Sequence, residues 1–268
     1  MSQVRKDGVT LYEKKDFEGM RKAGKTAAEV LDFITPYVQV GASTGELDDL
    51  CRNFIKEKGA ISATIGYNGY KHASCISINH VICHGIPNHE RKLADGDILN
   101  IDITVIVDGW FGDTSRMFYA GTPKIKTKRL CDVTYECTMR AIDIVKPGAR
   151  LGDIGALIEG IAHKNGYSVV DMFCGHGLGR VFHDEPQVIH CGQKGTGPLI
   201  EEGMFFTIEP MINIGKRDGI ILQDGWTAVT RDKSLSAQFE HSIGVTNDGC
   251  EIFTLSPKGY TKPPYKIG

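Results

Sequence analysis

The chain repeats itself, and this narrows its fold more than any other property of the sequence. VQVGASTGELDDLCRNFIKEKG (38–59) matches VKPGARLGDIGALIEGIAHKNG (145–166) at a constant shift of 107 residues. Val38/Val145, Gly41/Gly148, Ala42/Ala149, Gly45/Gly152, Leu50/Leu157 and Gly59/Gly166 are identical, and Glu46/Asp153 and Leu47/Ile154 are close. The same shift lays DGDILNID (95–102) on EGMFFTIE (202–209), so Gly96 falls on Gly203, Ile101 on Ile208 and Asp102 on Glu209. A shift that holds through helical and then strand-like sequence means one supersecondary unit used twice.

Each copy reads as two helices followed by strands. From Asp16, apolar residues at Met20, Ala23, Ala27, Val30, Leu31 and Ile34 recur at helical spacing, and Pro36 ends the run. Ser43 and Glu46 form a capping-box pattern ahead of a helix whose apolar face is Leu47, Leu50, Cys51, Phe54 and Ile55, with Gly59 as its C-cap. In the second copy, Leu130, Val133, Cys137 and Ala141 mark the upstream helix. The expectation is a short extension at 1–11 and a single domain over 12–268. Its halves are about 16–118 and 127–255, with their strands in one sheet, their helices on one side and a cleft between them.

Composition excludes several other classes. Lys plus Arg number 31 and Asp plus Glu 33, a net charge of -2, which argues against a binder built on phosphate contacts. No apolar run approaches the ~18 residues of a membrane span, and the polar N-terminus lacks the apolar stretch of a secretory signal. A cytoplasmic protein is expected, with eight reduced cysteines that are mostly small buried hydrophobes. None of them forms CxxC, and HExxH, a Walker loop and GxSxG are absent.

Acidic residues inside strand patterns carry the chemistry. ILNIDITVIVDGWFGDTSRMF (98–118) is rich in β-branched residues around Asp108-Gly109, a hairpin signal. With that turn Asp102 faces Ser115 and Asp113 faces Thr104. The two carboxylates then share a face as diagonal neighbours within ~7–8 Å. Their repulsion and burial call for a cation. Glu209 in MFFTIEPMI and Glu240 in LSAQFEHSIGV repeat the arrangement, with Glu240 expected as the counterpart of Asp113. Four converging carboxylates are the raw material of a two-metal site that activates water, and exceed the pair a glycosidase needs. Among nine histidines, His176 in CGHGLG is favoured as an imidazole ligand; His84 and His183 share the pattern H-x-x-P, and His80, His89, His163 and His190 read as structural.

Read together, CISINHVICHGIP (75–87), GDILNIDITVIVDGWFGDTS (96–115), GHGLGRVFHDEP (175–186), EEGMFFTIEP (201–210) and DGWTAVTRDKSLSAQFEH (224–241) closely resemble the type I methionine aminopeptidases. The match runs in order over roughly residues 10 to 255. The resemblance implies an α/β (α+β) pita-bread fold, a pseudo-twofold antiparallel sheet with helices packed on its outer face. It also implies metal-dependent removal of N-terminal methionine from peptides and nascent proteins whose second residue is small. Asp102, Asp113, His176, Glu209 and Glu240 would hold two divalent ions (Co, Mn, Fe, Zn or Ni), with Glu209 as general base. His84 and His183 would assist catalysis and contact substrate, and Tyr67, Tyr70, Cys75, Phe182 and Trp226 would form the methionine pocket. The 31 residues from Glu209 to Glu240 leave no space for the type II insertion. The resemblance also implies a monomer that meets nascent chains in transient contact with the ribosome and binds no membrane or specific nucleic acid. His80, Asn88, Thr64 and Leu178 depart from the residues usual in relatives. The alternatives are an Xaa-Pro aminopeptidase or prolidase-like hydrolase and a non-catalytic pita-bread module that binds peptides.

Overall fold

The 107-residue shift is written into the backbone. The computed structural model describes residues 2–266. A small hairpin of β1 (Gln3–Val4) and β2 (Thr10–Leu11) precedes helices α1 (Asp16–Ile34) and α2 (Thr44–Glu57). Strands β3 (Ile61–Ser62), β4 (Cys75–Ile78) and β5 (Val81–Cys83) lead to the long hairpin of β6 (Ile98–Val107) and β7 (Trp110–Tyr119). The second half begins with α3 (Ile125–Asp143) and α4 (Leu151–Lys164), followed by β8 (Ser168–Val169), β9 (Gly175–Gly177) and β10 (Asp184–Val188). It continues through β11 (Phe205–Ile208), β12 (Met211–Asn213), β13 (Gly219–Ile221), β14 (Ala228–Thr230), β15 (Ser236–Gln238), β16 (Glu240–Val245) and β17 (Cys250–Ile252). Both bounds of α2 and α4, and of β3 and β8, differ by 107 residues. So do the isolated bridges Ser43–Lys92 and Arg150–Leu199.

A nine-stranded sheet joins the halves in the order β10-β9-β11-β16-β7-β6-β3, with β17 on β16 and β4 on β6. The seam is the antiparallel contact of β16 with β7, where Glu240 lies opposite Ser115 and His241 opposite Thr114. Side-chain alternation divides the sheet's two faces. Leu99, Ile101, Ile103 and Val105 of β6 bury against Val30, Leu31, Leu47 and Cys51 of the helices. Phe206 and Ile208 of β11 do the same with Leu130, Cys137, Ile154 and Ile158. Asn100, Asp102 and Thr104 must therefore point to the opposite face, away from the helices. The Asp108-Gly109 turn closes the first hairpin with both residues at positive φ, 51° and 76°. Its register pairs Asp102 with Ser115 and Thr104 with Asp113, as the turn predicts.

The second hairpin corrects one equivalence. Phe205–Ile208 pair with His241–Gly244 and Met211–Asn213 pair with Ser236–Gln238 on one continuous register. Extending it puts Glu209 opposite Glu240, as Asp102 is opposite Ser115. The counterpart of Asp113 is thus Gln238 rather than Glu240. The sequence misleads because the inserted β13–β14 hairpin hides the register.

Candidate metal centre and active site

Asp102 on β6, Asp113 on β7, His176 on β9, Glu209 after β11 and Glu240 on β16 line one cavity of about 690 Å³. Both halves contribute to it. Ligand atoms of Asp113, His176 and Glu240 lie within 4.8 Å of one another. His176 Nε2 is 3.5 Å from Asp113 Oδ2 and 3.7 Å from Glu209 Oε1. The glycines of the β9 segment permit this approach. A Cβ on Gly177 would sit 2.1 Å from the Glu185 carbonyl oxygen, and one on Gly175 2.4 Å from that of Thr207.

Neighbouring groups orient these side chains. Thr104 Oγ1 donates to Asp113 Oδ1 at 2.8 Å, and Thr207 Oγ1 donates to Glu209 Oε1 at 2.7 Å. Gln238 Nε2 donates to Glu209 Oε2 at 3.2 Å. With Nδ1–H of His176 donating to the Gly177 carbonyl at 3.0 Å, Nε2 is left facing the carboxylates. That is the orientation of a metal-binding imidazole.

Burial and like charge make the ionised carboxyls unfavourable, which a bound cation would relieve. Burial, and then the charges of Asp113 and Glu209, push the Asp102 carboxyl well above the usual carboxylate range. Burial and the charges of Asp113, Glu209 and Asp102 do the same to Glu240. Burial lifts Glu209 to about 7 despite the opposing charge of His176 and the Thr207 hydrogen bond. Burial works to lower the His176 imidazole, but the Asp113 hydrogen bond and the Glu209 and Asp113 charges together raise it to about 9. The Asp102 Oδ1 atom is buried without a hydrogen-bond partner among the described residues. Such an oxygen is costly unless a cation takes it up. Four carboxylates and one imidazole are hard and borderline donors suited to first-row divalent ions, so the residues present fit a metal centre.

The remaining predicted residues surround it. Tyr67, Tyr70, Cys75, Phe182 and Trp226 line the same cavity, as do His84 and His183. Tyr70 meets Trp226 edge-on with ring centroids 4.9 Å apart, and its hydroxyl donates to the Ser74 carbonyl at 2.9 Å. Tyr67 lies 4.8 Å from Phe182. His84 holds a left-handed φ of 55°, the kind of backbone outlier found at functional sites. It packs edge-on to Phe173, and burial lowers its basicity. His183 stands at the solvent-facing rim, 4.3 Å ring to ring from His176, with Nδ1 2.8 Å from the Tyr67 hydroxyl. Desolvation on its cavity side, then the His176 charge, hold it down to about 4.

Two of the departures bear on the cavity differently. Thr64 lines it and donates through Oγ1 to the His72 carbonyl at 2.7 Å. Leu178 packs instead in the apolar cluster with Trp110 and Phe205. Sequence reasoning missed Gln238 and His190, both of which bond Glu209. Gln238 is the counterpart of Asp113, which the register of the second hairpin reveals only in the fold. His190 left no signal beyond its lying just after the H-x-x-P segment.

The model of metallopeptidase family M24 matches residues 18–247. The chain is similar to the methionine aminopeptidase of Rickettsia prowazekii, 58% identical over 258 residues, covering 96% of this chain and 99% of that protein. It is similar also to that of Escherichia coli K12, 53% identical over 248 residues, covering 92% of this chain and 94% of the other. The crystal structure of the Rickettsia prowazekii enzyme superposes with a TM-score of 0.91, covering 92% of this chain and all of that one. With this likeness in sequence and backbone over almost its whole length, the chain belongs to metallopeptidase family M24, among its methionine aminopeptidases.

Proposed function

We propose that the chain hydrolyses the first peptide bond of peptides and nascent proteins that begin with methionine and carry a small second residue, in the cytoplasm. The observation that carries this is one cavity in which four carboxylates and His176 adjoin the aromatic walls of Tyr67, Tyr70, Phe182 and Trp226. Asp102, Asp113, His176, Glu209 and Glu240 would hold two divalent ions, of Co, Mn, Fe, Zn or Ni. Ions bound there would acidify a water and neutralise charge developing on the scissile carbonyl. Glu209 takes the water's proton and returns it to the leaving amine. With the Tyr67 hydroxyl as donor to Nδ1 of His183, Nε2–H is free to hydrogen-bond the carbonyl oxygen as it becomes an oxyanion. His84 lines the same cavity beside Trp226, where it can hydrogen-bond the amide of the scissile bond. The unbranched methionine side chain suits the aromatic pocket. The chain acts as a monomer, meets its substrates in transient contact with the ribosome, and needs no membrane or specific nucleic acid.

Glu209→Gln tests the base. It keeps the size and the Thr207 contact, and turnover of Met-Ala-Ser should fall by about 10²–10⁴-fold. Turnover at the wild-type rate would refute the assignment. Comparing Met-Ala-Ser with an Xaa-Pro peptide separates this reading from a proline-specific enzyme, and hydrolysis of neither would point to a binding module.

A further inference from the structure

Glu209 stands where the chain leaves the large sheet. β11 ends at Ile208, Pro210 follows, and β12 begins at Met211 in a separate three-stranded sheet. β16 pairs with β11 as far as Ile208–His241, but on the other edge the ladder gives little hold, because β9 pairs with β11 only at Phe206–Gly177. Beyond the last ladder pair, side chains hold the Glu209 main chain. Its N–H donates to His190 Nε2 at 3.1 Å, and its carbonyl accepts from Gln238 Nε2 at 3.3 Å. Pro210 adds its own restriction, confining the residue before it to extended backbone.

His190 differs from the other groups around Glu209. It is buried, 1% exposed, two residues beyond β10, and does not line the cavity. Gln238 and Thr207 touch the carboxylate, whereas His190 touches only the main chain. Accepting a hydrogen bond through Nε2 requires that the ring be neutral with its proton on Nδ1. That Nδ1 has no hydrogen-bond partner among the described residues. The polar capacity of a buried ring is therefore spent on one contact, to the amide of one residue.

We propose that His190 is a positioning residue for Glu209. By fixing the amide of a residue that lies beyond its strand, it holds the carboxylate over the reacting water without meeting substrate or metal. This rests on the reading of Glu209 as the base. Groups that orient an active-site residue from behind typically matter about 10- to 100-fold in activity or metal affinity.

Steady-state kinetics on Met-Ala-Ser with His190→Leu, His190→Gln and His190→Asn test the proposal, with metal content and thermal unfolding measured alongside. Leucine removes the acceptor. Glutamine can place an amide oxygen near the position of Nε2, and asparagine only near that of Nδ1. The expected result for His190→Leu is a kcat lower by about 10- to 100-fold. KM should stay within about twofold, and glutamine should recover most of the loss where asparagine does not. If the leucine variant does not fold, the glutamine–asparagine pair decides alone. Equal kcat in that pair, or wild-type kcat in a folded His190→Leu, overturns the proposal. Glu209→Gln in parallel separates the two levels. An inactive Glu209→Gln beside an unimpaired His190→Leu overturns only the positioning role, whereas an active Glu209→Gln overturns the base assignment beneath it.

Discussion

Asp102 shows how a single side chain exposes the purpose of a site. It lies in the middle of a strand whose neighbours Ile101 and Ile103 are fully buried on the other face. A carboxylate there has no hydrogen-bond partner for Oδ1 among the described residues and lies close to Asp113 and Glu209, so its charge is unfavourable. Asp102→Asn keeps the shape and removes the charge. It should raise the unfolding temperature of chelator-treated protein by roughly 2–4 °C, for a gain of about 1 kcal/mol, while weakening the further stabilisation by added divalent metal. Differential scanning calorimetry with and without metal checks both signs. A fall in the metal-free unfolding temperature would mean that the carboxylate has a structural partner. The sequence made Asp102 legible because its charge breaks an apolar strand pattern. It left His190 unreadable because a histidine's role depends on which backbone amide the fold brings to it.

At the scale of elements, the most legible features were those whose determinants lie within a few residues. The capping box at Ser43 forms as its sequence predicts: Glu46 N–H donates to Ser43 Oγ at 3.1 Å, and Ser43 N–H donates to the Glu46 carboxylate at 2.8 Å. The repeat-related helix keeps half of this device. Asp153 accepts from the Arg150 N–H at 2.8 Å, but arginine has no acceptor to return. Ser43→Ala should thus cost about 1 kcal/mol and lower the unfolding temperature. An unchanged thermal transition would show that the cap is redundant with the Ser43–Lys92 bridge. The hairpin at Asp108-Gly109 was legible for the same local reason. The second hairpin was not, because its register is set across the intervening β13–β14 excursion by pairing between residues some 30 apart.

Across the whole molecule, the two halves are held by more than the sheet seam. The buried ion pair of Arg116 on β7 and Asp32 on α1, 2.8 Å apart, also receives the C-terminal segment. Ser256 Oγ donates to Asp32 Oδ1 at 2.7 Å, and the Tyr265 hydroxyl donates to the Met117 carbonyl at 2.7 Å. The pair lies on the helix-facing side of β7, whose other side presents Asp113 to the cavity. Asp32→Asn leaves Arg116 buried without its counter-charge, at a cost of about 3–5 kcal/mol. Urea unfolding should show this as a lower midpoint, and a midpoint within error of wild type would contradict it. The central claim is that two related halves converge to hold metal for hydrolysis, and the most direct test is metal content measured together with activity. Protein stripped by chelator should lose Met-Ala-Ser hydrolysis and regain it in proportion to divalent ion bound, up to two per chain. Full hydrolysis by protein holding well under one ion per chain would contradict the account.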